Sequence, residues 1–248
     1  MPPISTKDLN LYKKEDPEIE LPLSTHLEEL RQRILISLVT LFVSFVISLL
    51  YSKNIIYYLT LIAPQDTIFI QIKPGEFFFT CMRVAFYGGF AISLPVIIFQ
   101  SCNFVFPGLR ENEKKLLFLM VILTPFSFIL GTVFAYYAVL PSMLGFLFGF
   151  GGDMITTSIS IENYIAFSIM VLAICGVAFL MPAVLFVLGK LKLISSKFLI
   201  SQWRYAVLLC VVLGAVLTPT PDPFNMILIS GVLVFLYIIS ILVLKLTK

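Results

Sequence analysis

The sequence predicts an all-α membrane protein with six transmembrane helices. Of its 248 residues, 59% are hydrophobic and only 12% are charged, whereas soluble domains carry about 25% charged residues. A soluble fold of this size has too little interior to bury so many apolar side chains. The apolar residues also form long runs, unlike the alternating segments of about ten residues that are typical of transmembrane β-strands.

A helix needs roughly 20 apolar residues to cross the hydrocarbon core, and six apolar runs in the chain are predicted to do so. The predicted spans are residues 34–51, 77–99, 116–140, 164–189, 205–218 and 226–244. The fifth span has only 14 residues, which corresponds to about 21 Å of helix. Because the hydrocarbon core is roughly 30 Å thick, we expect the bilayer to thin there or a partner to cover the mismatch.

Basic residues predict which side of the membrane each connection faces. The two tails and the second and fourth connections carry 14 Lys and Arg residues, against two in the other connections. Positively charged connections stay on the side of synthesis, so both termini are predicted on the cytoplasmic or stromal side. Residues 1–24 are predicted to form a polar tail ahead of a six-helix domain, residues 25–248. The tail shows neither the apolar core of a signal peptide nor the acid-poor composition of a transit peptide.

A polar cluster from Ser24 to Arg33 directly precedes the first span. Thr25 and Glu28 have the spacing of a capping box, which places Thr25 at the N-cap. Glu29 has no such role, and two interpretations stay open for it. It pairs with Arg33 one turn later, or it presents a carboxylate to a cationic partner at the membrane surface.

A second cluster, residues 104–115, follows the second span. Pro107 and Gly108 predict a rigid turn, after which a new helix carries acidic residues, among them Glu113, near its positive end. Helix-end electrostatics explains Glu113 as well as a binding role does. Phe104 is explained equally well as an aromatic anchor at the membrane interface.

Two further charges stand out in apolar surroundings. Asp222 lies among three prolines between the last two spans, and capping of the sixth helix is an alternative to a functional role there. Arg83 lies inside the second span and either extends to the outer surface or pairs with Glu76 or Glu162.

The residue inventory argues against an enzyme, a cofactor and a metal site. The chain has one histidine and four cysteines, and the cysteines form no C-x-x-C pair. The sequence lacks H-E-x-x-H, G-x-S-x-G and a phosphate-binding glycine loop. Its net charge of +3 is too small to indicate a nucleic-acid binder.

Three motifs, in order and in the corresponding connections, resemble those of the TatC family, the six-span receptor subunit of the twin-arginine protein translocase. They are HLEELRQR at residues 26–33, FVFPGLRENE at residues 104–113 and LTPTPDP at residues 217–223. Residues 74–79 and 195–205 are most similar to the cyanobacterial and plastid branch. The absence of a transit peptide suits a plastid-encoded or cyanobacterial product in a thylakoid or bacterial inner membrane.

The resemblance implies a concave, glove-like bundle that exports folded proteins with twin-arginine signal peptides, driven by the proton gradient. The residues matching Glu29 and Glu113 receive the arginines, and those matching Arg31 and Phe104 belong to the same cytoplasmic patch. Asp222 matches an acidic residue needed for transport in the far-side loop. Single-span partners of the TatA and TatB type dock near the fifth and sixth helices, and several copies of the chain are expected to assemble in the lipid bilayer.

One position departs from the family pattern. Many members carry Glu or Gln in the fourth span where this chain has Leu180, so a polar contact to a partner helix is missing or moved. Two other functions compete with the family's. A secondary transporter for a small solute would need several polar or charged residues at mid-membrane, and these spans have almost none apart from Arg83. A structural subunit of a membrane complex would not respond to a cationic peptide.

Overall fold

The computed structural model describes residues 23–64, 67–105, 111–149, 158–190, 193–218 and 222–246. Within those residues the chain forms nine α-helices, one π-helical segment and two short strands. In chain order they are α1 (Leu23–Thr60), β1 (Ile68–Ile70), α2 (Glu76–Val105), α3 (Glu111–Phe134), the π-helix (Ala135–Val139), α4 (Leu140–Gly149), β2 (Ser158–Ser160), α5 (Ile161–Ala178), α6 (Leu180–Lys190), α7 (Ser196–Ser201), α8 (Trp203–Leu217) and α9 (Pro223–Leu246).

The helices of the described residues build six membrane-crossing segments. Five are long and apolar enough to cross a bilayer, namely α1, α2, the α3–π–α4 segment, the α5–α6 segment and α9. The remaining segment, α8, has 15 residues and a length of about 22 Å, as the short fifth run predicted. Because six segments alternate in direction, α1 begins and α9 ends on one side, which we call the inner side.

Helix ends extend beyond the apolar runs from which they were predicted. Helix α1 has 38 residues, twice the predicted span, because a helix continues into the aqueous phase where its polar residues are hydrated. It begins at Leu23, so Thr25 lies inside the helix and the predicted N-cap at Thr25 is wrong. Helix α8 ends one residue earlier than predicted, at Leu217.

Small residues bring α1 and α2 into close contact. Ser44, Ser48 and Ser52 recur every fourth residue on α1 and are all buried. Opposite them on α2, a Cβ added to Gly89 would lie 2.7 Å from the Cα of Phe45. Such close backbone approach is how transmembrane helices gain packing contacts where the surrounding lipid is as apolar as their side chains. The two helices therefore form a tightly packed antiparallel hairpin.

The fourth segment bends where its sequence contains a proline. Helix α5 ends at Ala178 and α6 begins at Leu180. Pro182 has no N–H to donate to the carbonyl of Ala178, so the regular hydrogen-bond ladder is interrupted there. The ring of Phe179, at the break, packs 5.4 Å from that of Phe134 on α3.

The buried core lies toward the outer side of the bundle. Its members come from the end of α1, the start of α2, the π-helix, α4, α5, α8 and α9, including Leu59, Val84, Val139, Met143, Ile165 and Ile229. Above it, β1 and β2 pair in parallel, with Ile70 opposite Ser160. These three-residue strands were not predicted, because they are too short to show a period in sequence.

Candidate functional site

The candidate site on the inner side centres on Glu29, Arg33 and Gln100. The Arg33 guanidinium donates to Glu29 Oε1 from Nε at 3.0 Å and also from Nη2. Its Nη1 donates to Gln100 Oε1 on α2, at 3.2 Å. The side chains of Arg33 and Glu29 are 23% and 29% exposed, so the pair is in contact with water. The predicted pairing within α1 is confirmed, and it extends across to α2.

A groove of about 450 Å³ opens beside this pair, between α1 and α2. Its walls are mainly apolar. They are formed by Leu30, Arg33, Ile34, Ser37, Leu38, Leu41, Ile97, Gln100, Ser101 and Phe104. Arg33 is the charged residue of this lining, and Phe104 is half-buried one helical turn after Gln100. A carboxylate that binds a guanidinium therefore adjoins an elongated apolar surface.

None of the other residues of the predicted patch is among the described residues that line this groove. Arg31 is exposed on α1. Glu113 lies in the first turn of α3, and its side chain is not among those described. Pro107 and Gly108 also lie outside the described residues. The structure thus brings Glu29 and Phe104 to one groove through Arg33 and Gln100.

Gln100 is the residue that the sequence analysis missed. It follows the second predicted span directly and lies one turn before Phe104. A polar side chain at that junction, spaced to lie on the same helix face as Phe104, was the available signal. Its partner Arg33 is 67 residues away, so only the packing of α1 on α2 reveals the contact.

On the outer side, Glu76 joins two connections. Its carboxylate accepts hydrogen bonds from the backbone N–H groups of Ile72 and Lys73 at 2.8 and 3.0 Å, and from that of Glu162 at 3.3 Å. The Ser160 hydroxyl donates to the same carboxylate. Glu76 precedes the apolar run 77–99 and is only 2% exposed. These four donors satisfy the carboxylate and so compensate for its burial.

Arg83 and Asp222 also have structural partners on the outer side. Arg83 Nη2 lies 3.4 Å from Glu162 Oε1, so of the alternatives left open by the sequence the structure shows pairing with Glu162. Asp222 precedes α9, whose first residue is Pro223. Its two carboxylate oxygens accept from the backbone N–H and the side-chain Nδ2 of Asn225, at 2.7 and 2.8 Å. The predicted capping of the sixth membrane helix is therefore confirmed.

A model of the TatC family, described as Sec-independent protein translocase protein, matches residues 25–231. The chain belongs to the TatC family. It is 38% identical to the Sec-independent protein translocase protein TatC of Synechocystis over 228 residues, which cover 91% of this chain and 89% of the relative. It is 36% identical to the chloroplastic TATC of rice over 229 residues, 92% of this chain and 64% of the relative.

Two further similarities support the same assignment. A TatC-like protein, ycf43 of Guillardia theta, is 40% identical over 221 residues, covering 89% of this chain and 76% of the relative. The crystal structure of the twin arginine translocase receptor TatC superimposes with a TM-score of 0.78 at 33% identity, covering 90% of this chain and all of that one. This chain is therefore a multi-pass membrane component of a Tat translocase, of the predicted cyanobacterial and plastid branch. The transporter and structural-subunit alternatives are not supported.

In this TatC-family chain, the short helix α8 presents an apolar face to its surroundings. The exposed residues of this face recur every three or four positions and include Tyr205, Leu208, Leu209, Val212 and Val216. The opposite face packs on α9, with Cys210 buried and Gly214 against Ser230. The exposed face contacts either lipid or another helix.

Leu180, at which the sequence analysis expects a departure from the family pattern, is the first residue of α6. It is half-buried and directly follows the break at Phe179. Its side chain thus lies at the kink of the fourth segment.

Proposed function

We propose that this chain is the signal-peptide receptor of its translocase, and that Glu29 and Glu113 each receive one arginine of a twin-arginine motif. The observation that carries the proposal is the contact between Glu29 and a guanidinium, which Arg33 supplies from within the chain. Carboxylates bind the planar guanidinium fork with more hydrogen bonds than the point charge of lysine allows. The inner-side carboxylates thus have the chemistry that a paired-arginine ligand requires.

The groove between α1 and α2 accepts the residues of the peptide next to its arginines. Its lining is mainly apolar, which suits the apolar segment that a signal peptide carries. Phe104 contributes an aromatic surface to the groove, and the exposed Arg31 belongs to the rim of the patch. The turn that the sequence predicts at Pro107 and Gly108 precedes α3, which carries Glu113.

The exposed face of α8 binds a single-span partner of the TatA or TatB type. A helix of 15 residues leaves several ångströms of the hydrocarbon core unmatched, and a packed partner helix relieves that mismatch. Additional copies of the chain assemble with these partners. Asp222 holds the far-side end of α9 in the conformation that transport requires. No catalytic step, nucleotide, metal or cofactor is part of this proposal, in which the proton gradient drives transport.

A twin-arginine signal peptide with a photo-crosslinker placed just after its arginines tests the proposal in native membranes. Crosslinks to α1 and α2 residues of the groove are expected, and a twin-lysine peptide should give markedly fewer. The matched control places the crosslinker on a peptide whose arginines are both replaced by glutamine. Equal labelling by all three peptides would contradict receptor function at this groove.

A further inference from the structure

We propose that Arg33 is an internal competitor of the signal peptide. Its guanidinium occupies the Glu29 carboxylate in the resting receptor, and an arginine of the peptide binds there only when Arg33 leaves. This inference rests on the proposed function, since it assumes that Glu29 is an arginine acceptor. It adds a resting state to that site, in which the receptor carries its own substitute for the ligand.

The pair uses the same chemical groups as the proposed ligand complex. The Nε–Nη2 edge of the Arg33 guanidinium, which an arginine ligand also presents, donates to one oxygen of Glu29, Oε1. Because Glu29 and Arg33 are one helical turn apart, the competitor is always within reach. An ion pair at this spacing and exposure changes an equilibrium constant by a factor of only about two to five. The contact therefore occupies the carboxylate without blocking it permanently.

Gln100 gives Arg33 a second partner that does not depend on Glu29. Its Oε1 accepts from Arg33 Nη1 at 3.2 Å across the α1–α2 hairpin. When a ligand takes the carboxylate, this hydrogen bond to a neutral amide keeps the guanidinium partnered at the edge of the groove. Without it, release of Arg33 would leave a part-buried cation with one hydrogen-bond partner fewer. Gln100 thus lowers the cost of the exchange.

Competition of this kind has a quantitative signature. We consider a ligand that binds only the fraction of receptors whose Glu29 is available. Its apparent dissociation constant equals its intrinsic dissociation constant divided by that fraction. Removing Arg33 raises the fraction and strengthens binding of every Glu29 ligand by the same factor. The affinities for twin-arginine and twin-lysine peptides therefore both rise, whereas the ratio between them stays constant.

The experiment measures binding of labelled twin-arginine and twin-lysine peptides to the purified full-length chain and its variants. We expect Arg33→Gln to bind both peptides about two to five times more tightly. Arg33→Lys keeps the positive charge but loses the fork, and should also bind more tightly than the wild type, by a smaller factor. Lys197→Gln removes an exposed charge from another inner-side helix and controls for net charge. Monodisperse elution and an unchanged melting temperature establish that each variant is folded.

The Glu29→Gln background separates the two hypotheses. There, adding Arg33→Gln should give no further gain, because no carboxylate is left to release. If Glu29→Gln weakens binding but Arg33→Gln and Arg33→Lys leave it unchanged or weaker, the internal competitor is refuted and the proposed function stands. If Glu29→Gln leaves binding unchanged, Glu29 is not the acceptor and both proposals fail. A gain in Arg33→Gln that persists with Gln at position 29 would show simple charge repulsion and would also refute the competitor.

Discussion

The carboxylate of Glu76 on α2 accepts a hydrogen bond from the hydroxyl of Ser160 at the end of β2. The two residues are 84 positions apart, and their contact ties the first outer connection to the start of α5. Backbone N–H groups from both connections converge on the same carboxylate. Glu76 and its donors therefore link two of the outer connections to each other.

Replacing Glu76 by Gln should destabilise the outer connections that it joins. An amide has only one acceptor oxygen for these donors, and it carries no charge. The melting temperature of the purified protein should fall, and the outer connections should become sensitive to protease. Glu162→Gln is the matched control, since its carboxylate pairs with Arg83 at a more exposed site, where an ion pair contributes little. Equal melting temperatures for the two variants would contradict the role of Glu76.

The contact between α1 and α2 predicts a second stability effect. A side chain at position 89 meets the backbone of Phe45 at 2.7 Å, so Gly89→Ala should force the hairpin apart and cost about 1–3 kcal/mol. Gly231→Ala is the control, because a Cβ added on that part of α9 meets nothing within 4 Å. Thermal unfolding in detergent measures the stability of both variants. An equal loss of stability in the two would show that α1 and α2 are not closely packed at Gly89.

Local features were the part of this structure that the sequence predicted well. Apolar runs located the six membrane segments, and the spacing of Glu29 and Arg33 indicated their pair. The position of Asp222 before an apolar run indicated its cap. Each of these features depends on residues within a few positions of one another or on hydrophobicity alone.

Long-range contacts were beyond what the sequence could predict. The Gln100–Arg33 and Glu76–Ser160 hydrogen bonds join residues 67 and 84 positions apart, and they exist only because whole helices pack against one another. The N-cap was misplaced at Thr25 for a related reason. The apolar run marks where a helix enters lipid, and nothing in it marks how far the helix continues into water.

The exposed face of α8 predicts where a partner helix contacts the chain. Val216 lies on this face and is 73% exposed, whereas Val211 lies to one side of it and is 38% exposed. Cysteines at these positions should crosslink to a single-span partner, more strongly from position 216. Wild-type Cys210 is buried on the opposite face and provides the internal control, which should give no crosslink. Reactivity of both introduced cysteines toward lipid-soluble reagents alone, without a protein adduct, would indicate that this face contacts only lipid.

Peptide affinity should depend on Glu29 and Glu113 together. Glu29 is 29% exposed, so its hydrogen bonds to an arginine are worth less than the 1.5–3 kcal/mol of shielded charge-assisted bonds and more than a fully solvated pair. We therefore expect Glu29→Ala to weaken binding of a twin-arginine peptide about five- to tenfold, with a similar loss in Glu113→Ala and a larger loss in the double variant. Glu28→Ala changes an exposed neighbour on α1 and should leave binding unchanged.

Glu29→Asp distinguishes recognition from general charge. It keeps the carboxylate but shortens its reach by one methylene, so a receptor that binds the guanidinium edge should lose affinity, whereas one that responds only to negative charge should not. A loss of affinity in this variant would be informative, because Asp at position 29 also binds Arg33 less firmly. Weaker binding of Arg33 would by itself increase the affinity for the peptide. Titration of a fluorescent peptide into purified wild type, Glu28→Ala, Glu29→Ala, Glu29→Asp, Glu113→Ala and the double variant measures all of these effects. Equal affinities across the series would place the receptor site elsewhere on the inner surface of the chain.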